Sequence, residues 1–242
     1  MGIPALLTSF VDVGGTLWPN TWVLTDADRA GQLRRVGDVL AARDGERTGA
    51  VLAAINDRFD GPPSPDLAEA PDRLIAEVLA GYGCPSDPAT ARRVRQALNV
   101  DLGRLVTPLP DAGELLRGIK ELGLRCVIVS NSTFRDAETY SRDFDALDWT
   151  RWIDGCVTSV DVGWRKPDAR MFQAALEQAE APPRSCVMIG NSEEADIAPA
   201  AAIGLRTILV GIEEPPPAGT IADATATSLR DALGILRSWV LQ

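Results

Sequence analysis

Histidine is absent from the 242 residues of this chain. Its absence excludes hydrolases that activate Ser or Cys with histidine, and it excludes zinc sites built on imidazole. Any general acid or base must therefore be a carboxylate, Lys, Tyr, Cys or water. Any bound metal ion is expected to be a hard cation with oxygen ligands.

Long apolar runs and paired cysteines are also missing. No apolar run reaches the roughly 18 residues that a membrane-spanning helix needs. The opening residues MGIPALLTSFVDV lack the basic start and long apolar core of a secretory signal. The four cysteines, Cys84, Cys126, Cys156 and Cys186, form no C-x-x-C pair. We therefore expect reduced cysteines in a cytoplasmic protein that has no membrane partner.

Positive charge is scarce, since 24 Lys and Arg residues face 34 Asp and Glu residues and the net charge is −10. This balance argues against nucleic acid and anionic membranes as partners. The length allows one large domain, or a core domain with a smaller inserted one. Nothing in the composition predicts an oligomeric state.

The order of predicted elements indicates the fold class. The apolar run ALLTSFVDV, which ends in Gly-Gly, predicts a first buried parallel strand. Residues 25 to about 103 show helical periodicity, interrupted by the turn-rich segments DGERTG, DGPPSP and GCPSD. From about residue 108, helices alternate with the strands RCVIVS, GCVTSV, SCVMIG and RTILV. This order predicts a Rossmann-like α/β fold, with a doubly wound parallel sheet over residues 1–18 and 108–242 and an inserted α-helical cap over 19–107.

Polar residues cluster at the predicted strand ends. Asp12, Ser130 and Asn191, together with residues 156–159, lie at or just after the ends of four strands. In doubly wound sheets, ligands bind outside the carboxyl ends of the strands. The pattern alone therefore predicts a site at that edge of the sheet.

Four short motifs occur in order along the chain. They are Asp12-Val13-Gly14-Gly15-Thr16-Leu17, Ser130-Asn131, WRKPDARMF with Lys166-Pro167, and IGNSEEADIAPAAAIG with Asn191 and Asp196. In order, spacing and position at strand ends, they resemble the motifs of the haloacid dehalogenase superfamily over nearly the whole chain. The insertion between the first two motifs resembles the helical cap of the subgroup that includes dehalogenases and many small-molecule phosphatases.

A second family also opens on Asp-x-Gly-Gly-Thr, namely the sugar kinases of the actin-like fold. Those kinases continue from this loop into another strand with alternating apolar residues. This chain instead continues into LWPNTWVLTDADRAGQ, which contains Pro, Asn and a helix start, and it has no later glycine-rich adenosine loop. The resemblance to the haloacid dehalogenase superfamily is therefore favoured.

The resemblance implies a phosphatase-like hydrolase whose substrate is a phosphorylated small molecule. Asp12 would be the nucleophile, because a carboxylate can attack phosphorus and carry an aspartyl-phosphate. Ser130 would bind a phosphoryl oxygen, a role compatible with capping the helix that follows it. Lys166 would neutralise the charge of the nucleophile and of the phosphoryl group.

Further substrate contacts are expected from the first two motifs and their surroundings. Gly15 and Thr16 would donate hydrogen bonds to the transferring group, and Asn131 is assigned to the substrate as well. Trp18 and Trp22 follow the first motif, where the cap hinge is expected. Aromatic side chains at such positions suit a ligand pocket, and they equally suit packing between cap and core.

The resemblance also implies Mg²⁺ as cofactor. Its ligands would be Asp12, the backbone carbonyl of Gly14, Asn191 and Asp196. An acidic residue at the position of Asp196 also suits the start of a helix.

Two of these positions depart from the family's pattern. Gly14 stands where the phosphatases carry an Asp that protonates the leaving group and activates water, and such help is typically worth about 10²–10⁴-fold. Asn191 stands where an acidic metal ligand is usual, and a neutral carbonyl oxygen binds Mg²⁺ more weakly. The two changes put efficient hydrolysis of ordinary phosphomonoesters in doubt.

Three functions remain open from the sequence. The first is a phosphohydrolase whose leaving group departs without protonation, such as a diphosphate, acyl phosphate, enol or phenol. The second is a metal-independent dehalogenase, in which Asp12 attacks carbon. The third is a weak or inactive relative that binds a phosphorylated ligand or a partner protein. Substrate choice depends on the cap loops, which follow no readable code.

Overall fold

A computed structural model of the chain describes residues 5–20, 23–41, 44–59, 71–211 and 219–241. Within these residues, a six-stranded sheet forms the centre of the fold. In chain order its strands are β1 Thr8–Val11, β2 Arg125–Ser130, β3 Gly155–Thr158, β4 Cys186–Gly190, β5 Arg206–Val210 and β6 Ala224–Ala226. The spatial order is β3-β2-β1-β4-β5-β6, and all neighbouring pairs are parallel. This arrangement confirms the predicted doubly wound parallel sheet.

The described helices are α1 Asp26–Leu40, α2 Gly45–Phe59, α3 Pro71–Gly81, α4 Pro88–Leu98, α5 Leu102–Leu105, α6 Ala112–Glu121, α7 Ala137–Ala146, α8 Ser159–Val162, α9 Ala169–Ala179, α10 Ala198–Ala202 and α11 Leu229–Val240. None of them has the length and apolar character needed to cross a membrane. Helices α6, α7 and α11 contribute to the apolar cluster on one face of the sheet, and α9 and α10 to the cluster on the other.

Both faces of the sheet are buried, as a doubly wound fold requires. Successive residues of a strand point to opposite faces, and Phe10 and Val11 accordingly belong to different apolar clusters. Met188 and Ile189 of β4 divide in the same way. Burial on both sides explains why these strands are continuous apolar runs rather than alternating ones.

Helices α1 to α4 lie between β1 and β2 in the chain and share an apolar cluster of their own, to which Val36, Val51, Leu79 and Val94 belong. We call residues 26–98 the helical unit. The helical character of this region agrees with the sequence, whereas the cap boundaries at residues 19 and 107 stay a prediction.

Buried polar contacts join the helical unit to the loop after β2. Arg95 of α4 donates from Nη1 to the Asp136 carboxylate at 3.0 Å and to the carbonyl oxygen of Phe134 at 2.9 Å. Its Nε also donates to Asp72 of α3 at 2.6 Å. Arg135 of the loop donates in turn to the carbonyl oxygen of Val100, two residues after the helical unit, at 2.6 Å. These contacts hold α4 against the carboxyl edge of the sheet.

The fourth motif folds differently from the single helix that its sequence predicts. A π-helical turn, Glu193–Ile197, comes first, and the short helix α10 follows it. The N–H of Ala198 donates to the carbonyl oxygen of Glu193, five residues earlier. Pro199 has no N–H to donate, so the regular pattern of i to i−4 bonds is broken at this point.

The four cysteine side chains carry no disulfide. Cys126 and Cys186 are buried in β2 and β4. Burial raises the pKa of Cys126 to about 12, and it raises the pKa of Cys186 to about 11. Both thiols therefore stay protonated at neutral pH and act as apolar core groups.

Candidate active site

The first motif forms a tight loop at the end of β1. The N–H of Asp12 donates to the carbonyl oxygen of Ile189 at 3.0 Å, so the β1–β4 ladder continues one residue past the strand. Leu17 then donates to the carbonyl oxygen of Val13 at 2.7 Å, which folds the chain back on itself. Gly15 has a φ of +76°, a left-handed conformation that favours glycine. The loop thereby holds Asp12 at the edge of the sheet.

A buried ion cluster lies at this edge. Lys166 Nζ donates to Asp12 Oδ1 at 2.6 Å, to Asp196 Oδ1 at 2.6 Å and to the carbonyl oxygen of Val129 at 2.8 Å. The side chains of Lys166, Asp12 and Asp196 are 2%, 9% and 1% exposed. All three donors of the ammonium group are engaged, so Lys166 is held in one position.

The electrostatics of this cluster favour a charged lysine. Burial alone would favour the neutral amine, but the carboxylates of Asp12 and Asp196 outweigh burial and raise the pKa of Lys166. Burial raises the pKa of Asp196 to about 6. The charge of Asp12 adds to this rise, whereas the charge of Lys166 opposes it. Two carboxylates therefore share a single ammonium, and the fully ionised cluster carries one net negative charge.

Backbone contacts position Lys166. Asn131 accepts a hydrogen bond on Oδ1 from the Lys166 N–H at 2.7 Å and donates from Nδ2 to the Lys166 carbonyl oxygen at 3.0 Å. Both ends of this amide are therefore occupied by one residue of the third motif. The structure gives Asn131 a positioning contact, and its predicted contact with substrate stays a prediction.

Glycine at the end of β4 allows Asp196 to approach. A Cβ on Gly190 would collide with the Asp196 carboxyl group. Asp196 Oδ2 accepts a hydrogen bond from the Ser192 N–H at 3.1 Å, and Ser192 Oγ accepts one from the Ala195 N–H at 3.0 Å. The π-helical turn is thus capped, and it directs Asp196 toward Lys166.

Two hydroxyl groups of the predicted site have defined partners. Thr16 Oγ1 donates to Asp12 Oδ2 at 3.1 Å. The Ser130 hydroxyl lies 2.9 Å from the hydroxyl of Tyr140, which is buried in α7. Sequence reasoning missed Tyr140, because nothing in the α7 sequence distinguishes it from a core aromatic. Trp18 stacks on Tyr140, with ring centroids 6.0 Å apart.

Neutral amide side chains crowd the first loop. A Cβ on Gly14 would collide with the side-chain oxygen of Asn20. A Cβ on Gly15 would collide with the amide nitrogens of both Asn20 and Asn191. Asn20 was missed at the sequence level because it falls outside the four motifs. A neutral amide side chain therefore fills the space beside Gly14.

A cavity of about 500 Å³ opens beside this loop. Gly14, Ser130 and Asn131 line it on the sheet side, and Gln32 and Asn56 line it on the side of the helical unit. Its volume lies within the range of small-molecule pockets.

The structure brings some of the predicted site residues together and leaves others apart. Asp12, Thr16, Lys166 and Asp196 lie in one hydrogen-bonded cluster. Trp18 lines the cavity, but it is only 3% exposed and belongs to the apolar core. Its role toward substrate stays a prediction, and Trp22 lies outside the described residues.

The oxygen atoms present at the site suit a magnesium ion. In the described parts of the chain, no three His, Cys, Asp or Glu side chains are grouped to hold a metal. The acidic donors are the pair Asp12 and Asp196, and each of their oxygens already accepts one hydrogen bond. A carboxylate oxygen has a second lone pair, and Mg²⁺ commonly uses one or two carboxylates, waters and substrate phosphate. The donor set therefore fits Mg²⁺.

The chain is similar in sequence to known hydrolases. A haloacid dehalogenase-like hydrolase family model matches residues 9–204. A ribulose-1,5-bisphosphate 5-phosphatase of Halopiger xanaduensis is 34% identical over 137 residues, which are 54% of this chain and 56% of that protein. A glyceraldehyde 3-phosphate phosphatase of Methanothermobacter thermautotrophicus is 34% identical over 110 residues, which are 45% of this chain and 47% of that protein. The matched part of the chain thus spans about half the length of these relatives.

The fold has close counterparts among solved structures. A 2-haloacid dehalogenase from Pseudomonas syringae superposes with a TM-score of 0.64 over 97% of this chain and 99% of that one, at 19% identity. At that identity the likeness concerns the fold alone. Because the family model covers most of the chain, including all four motifs, the chain belongs to the haloacid dehalogenase-like hydrolase family.

Proposed function

We propose that this protein is a phosphohydrolase that transfers the phosphoryl group of a small molecule to Asp12 and then to water. The observation that carries the proposal is the buried cluster in which Lys166 holds both Asp12 and Asp196 at 2.6 Å. A carboxylate held by a buried ammonium, two residues before a glycine that lines a cavity, is suited to attack a phosphate ester. The phosphatase relatives support hydrolysis of a phosphorylated small molecule.

In the first step, an oxygen of Asp12 forms a bond to phosphorus while the bond from phosphorus to the leaving oxygen breaks. Hydrogen bonds from Lys166 and Thr16 fix the orientation of the Asp12 carboxylate before attack. Lys166 also offsets the negative charge that gathers on the phosphoryl oxygens, and Ser130 donates to one of them. The product of this step is an aspartyl-phosphate.

In the second step, water attacks the phosphorus of the aspartyl-phosphate, and the bond from phosphorus to Asp12 breaks. The attacking water gives up a proton to solvent or to the phosphate product, and the Asp12 carboxylate is regenerated. No side chain at Gly14 takes part in either proton transfer. We therefore propose a substrate whose leaving group departs as a stable anion, such as an acyl phosphate, diphosphate, enol or phenol.

We further propose that Asp12, the Gly14 carbonyl oxygen, Asn191 and Asp196 hold Mg²⁺. When bound, the ion supplies positive charge that stabilises the phosphoryl oxygens. The helical unit would act as a cap that excludes water from the cavity, since its Gln32 and Asn56 form one wall.

An Asp12→Asn variant tests the proposal. Phosphate release from a panel of phosphorylated metabolites should require Asp12 and Mg²⁺, and intact-protein mass spectrometry of the wild type should detect an added phosphoryl group. Asp148→Asn is the matched control, because the Asp148 side chain is 76% exposed and pairs only with Arg151 in the described contacts. Undiminished turnover in folded Asp12→Asn protein would contradict the mechanism.

The second candidate is a protein that binds a phosphorylated ligand without turning it over. It is favoured by Asn20, whose neutral side chain fills the space beside Gly14. Saturable binding of phosphorylated metabolites with no phosphate release would support this candidate. Halide release from 2-haloacids without Mg²⁺ would instead indicate the dehalogenase reaction at Asp12.

A further inference from the structure

The cavity beside Gly14 differs in charge from the rest of the protein. The chain as a whole has a net charge of −10. Among the described residues that line the cavity, however, there is no Asp or Glu, whereas Arg135 and Arg165 are both present. A cavity with this lining favours an anionic ligand.

The two arginines differ in their partners. Arg135 is buried and committed to the fold, since its Nε donates to Asp143 at 2.9 Å and its Nη2 donates to the carbonyl oxygen of Val100 at 2.6 Å. Arg165 is half-buried, and its one hydrogen bond within the described residues runs from Nη1 to the carbonyl oxygen of Ser132 at 3.2 Å. No carboxylate of the described chain lies within ion-pair distance of Arg165.

Burial without a counter-ion leaves the Arg165 guanidinium incompletely compensated. Burial lowers the pKa of Arg165, and nearby Tyr140 opposes this effect. An arginine still keeps its charge at any physiological pH. Several N–H donors of Arg165 are therefore available to an anion, and the planar fork of a guanidinium matches the geometry of carboxylate and phosphate.

The position of Arg165 relates it to the proposed phosphoryl site. It directly precedes Lys166, whose ammonium contacts Asp12. The Ser132 carbonyl that it contacts lies two residues beyond Ser130, and both serines line the cavity. A substrate whose phosphoryl group lies at Asp12 would reach the cavity at Gly14 and Ser130, and Arg165 lines the same cavity.

We propose that Arg165 binds a second anionic group of the substrate, either a phosphate or a carboxylate. The substrate class is accordingly a small phosphorylated compound that carries a second anionic group. The inference rests on the proposed phosphohydrolase function for the placement of the first group at Asp12.

Binding to the Asp12→Asn protein tests the inference without turnover. Calorimetric titrations in Mg²⁺ buffer would compare fructose 1,6-bisphosphate with fructose 6-phosphate, and 3-phosphoglycerate with glycerol 3-phosphate. The first pair tests a second phosphate, and the second pair tests a carboxylate. In at least one pair, the ligand with two anionic groups should bind about tenfold more tightly or better, as expected for a hydrogen-bonded charge pair.

Arg165→Ala, added to the Asp12→Asn protein, should abolish that preference. The affinity of the ligand that has only one anionic group should change by less than about threefold, because only the second anionic group loses a partner. Arg165→Met keeps the apolar stem and serves if the alanine variant does not fold. Arg230→Ala is the matched control, since that side chain is 79% exposed and is bonded to Asp111. It should leave every affinity unchanged.

The outcomes separate this inference from the proposed function. Equal affinities within both pairs, while Arg165 is present, would overturn it. Equal losses for both members of a pair in the Arg165 variants would also overturn it, because Arg165 would then serve the first phosphate. If the wild type hydrolyses no substrate but the Arg165-dependent preference persists, the anion site stands and the phosphohydrolase proposal falls.

Discussion

The side-chain oxygen of Asn20 lies so close to Gly14 that a Cβ atom on Gly14 would collide with it. Gly14 is not among the described glycines with a positive φ, so its backbone does not itself require glycine. Steric exclusion by Asn20, rather than backbone strain, therefore keeps a side chain out of this position. Asn20 is itself exposed, and displacing it requires little repacking.

Gly14→Asp combined with Asn20→Ala should therefore place an acid beside the proposed nucleophile. Turnover of alkyl phosphates should rise, with a ceiling of about 10²–10⁴-fold, and turnover of aryl phosphates should rise less because phenols depart without a proton. Gly14→Asp alone should gain less than the double variant. Rates across a leaving-group series at saturating Mg²⁺ provide the measurement.

Asn20→Ala alone is the control for the double variant, and it should leave the dependence on leaving-group pKa unchanged. If the rate depended equally steeply on leaving-group pKa in the wild type and in the folded double variant, the lack of a side chain at Gly14 would not be what limits the reaction.

Asn191→Asp should tighten binding of Mg²⁺ by about tenfold or more. The substitution places an anionic oxygen beside the first loop, and even partly screened unit charges about 4 Å apart interact by several kcal/mol. Calorimetric titration of Mg²⁺ into both proteins measures the change. Asn56→Asp adds the same charge across the cavity and should have a smaller effect. Unchanged affinity in Asn191→Asp would place Asn191 outside the cation site.

Asp196→Asn should remove a pH-dependent loss of stability. The pKa of Asp196 rises from 3.8 to about 6 on folding. The folded state therefore binds the proton more tightly, and the free energy of unfolding falls as pH rises from about 4 through about 6. The full loss, about 3 kcal/mol, is present at neutral pH.

Urea unfolding in EDTA at several pH values would measure this effect as the difference between the variant and the wild type. Between about pH 4 and pH 6, the free energy of unfolding of the variant should rise relative to that of the wild type. Asp148→Asn, at an exposed position, should show no such rise. A difference that does not change between pH 4 and pH 7 would contradict the prediction.

Arg95→Ala should destabilise the folded chain by about 3 kcal/mol. The Arg95 side chain is 4% exposed, and its loss leaves Asp136 without its buried cation. Arg92 of the same helix lies 3.7 Å from Asp72 but is 68% exposed, so Arg92→Ala should cost less than about 0.5 kcal/mol. Urea unfolding at pH 7 measures both values. Similar costs for the two arginines would show that the contact with Asp136 contributes little.

The sequence by itself determined the elements that depend on local pattern. Five of the six described strands, the α helices between β1 and β2, and the placement of Asp12, Ser130 and Asn191 at strand ends all follow from apolar periodicity and turn residues. β6, Ala224–Ala226, was not predicted, because three small residues make no apolar run and pair only with the edge of β5. The broken helix of the fourth motif was also missed, because the pattern of apolar residues there is helical throughout.

Only the tertiary structure decided which side chains meet. Lys166 and Asp12 are 154 residues apart in the chain, and no local pattern encodes their 2.6 Å contact. The same holds for the contact of Asn20 with Gly14. It also holds for Arg165, which no local pattern marks as a cavity residue but which lines the cavity in the fold. Periodicity encodes which face of an element is buried, whereas contacts between loops depend on how the parallel strands bring their carboxyl ends to one edge.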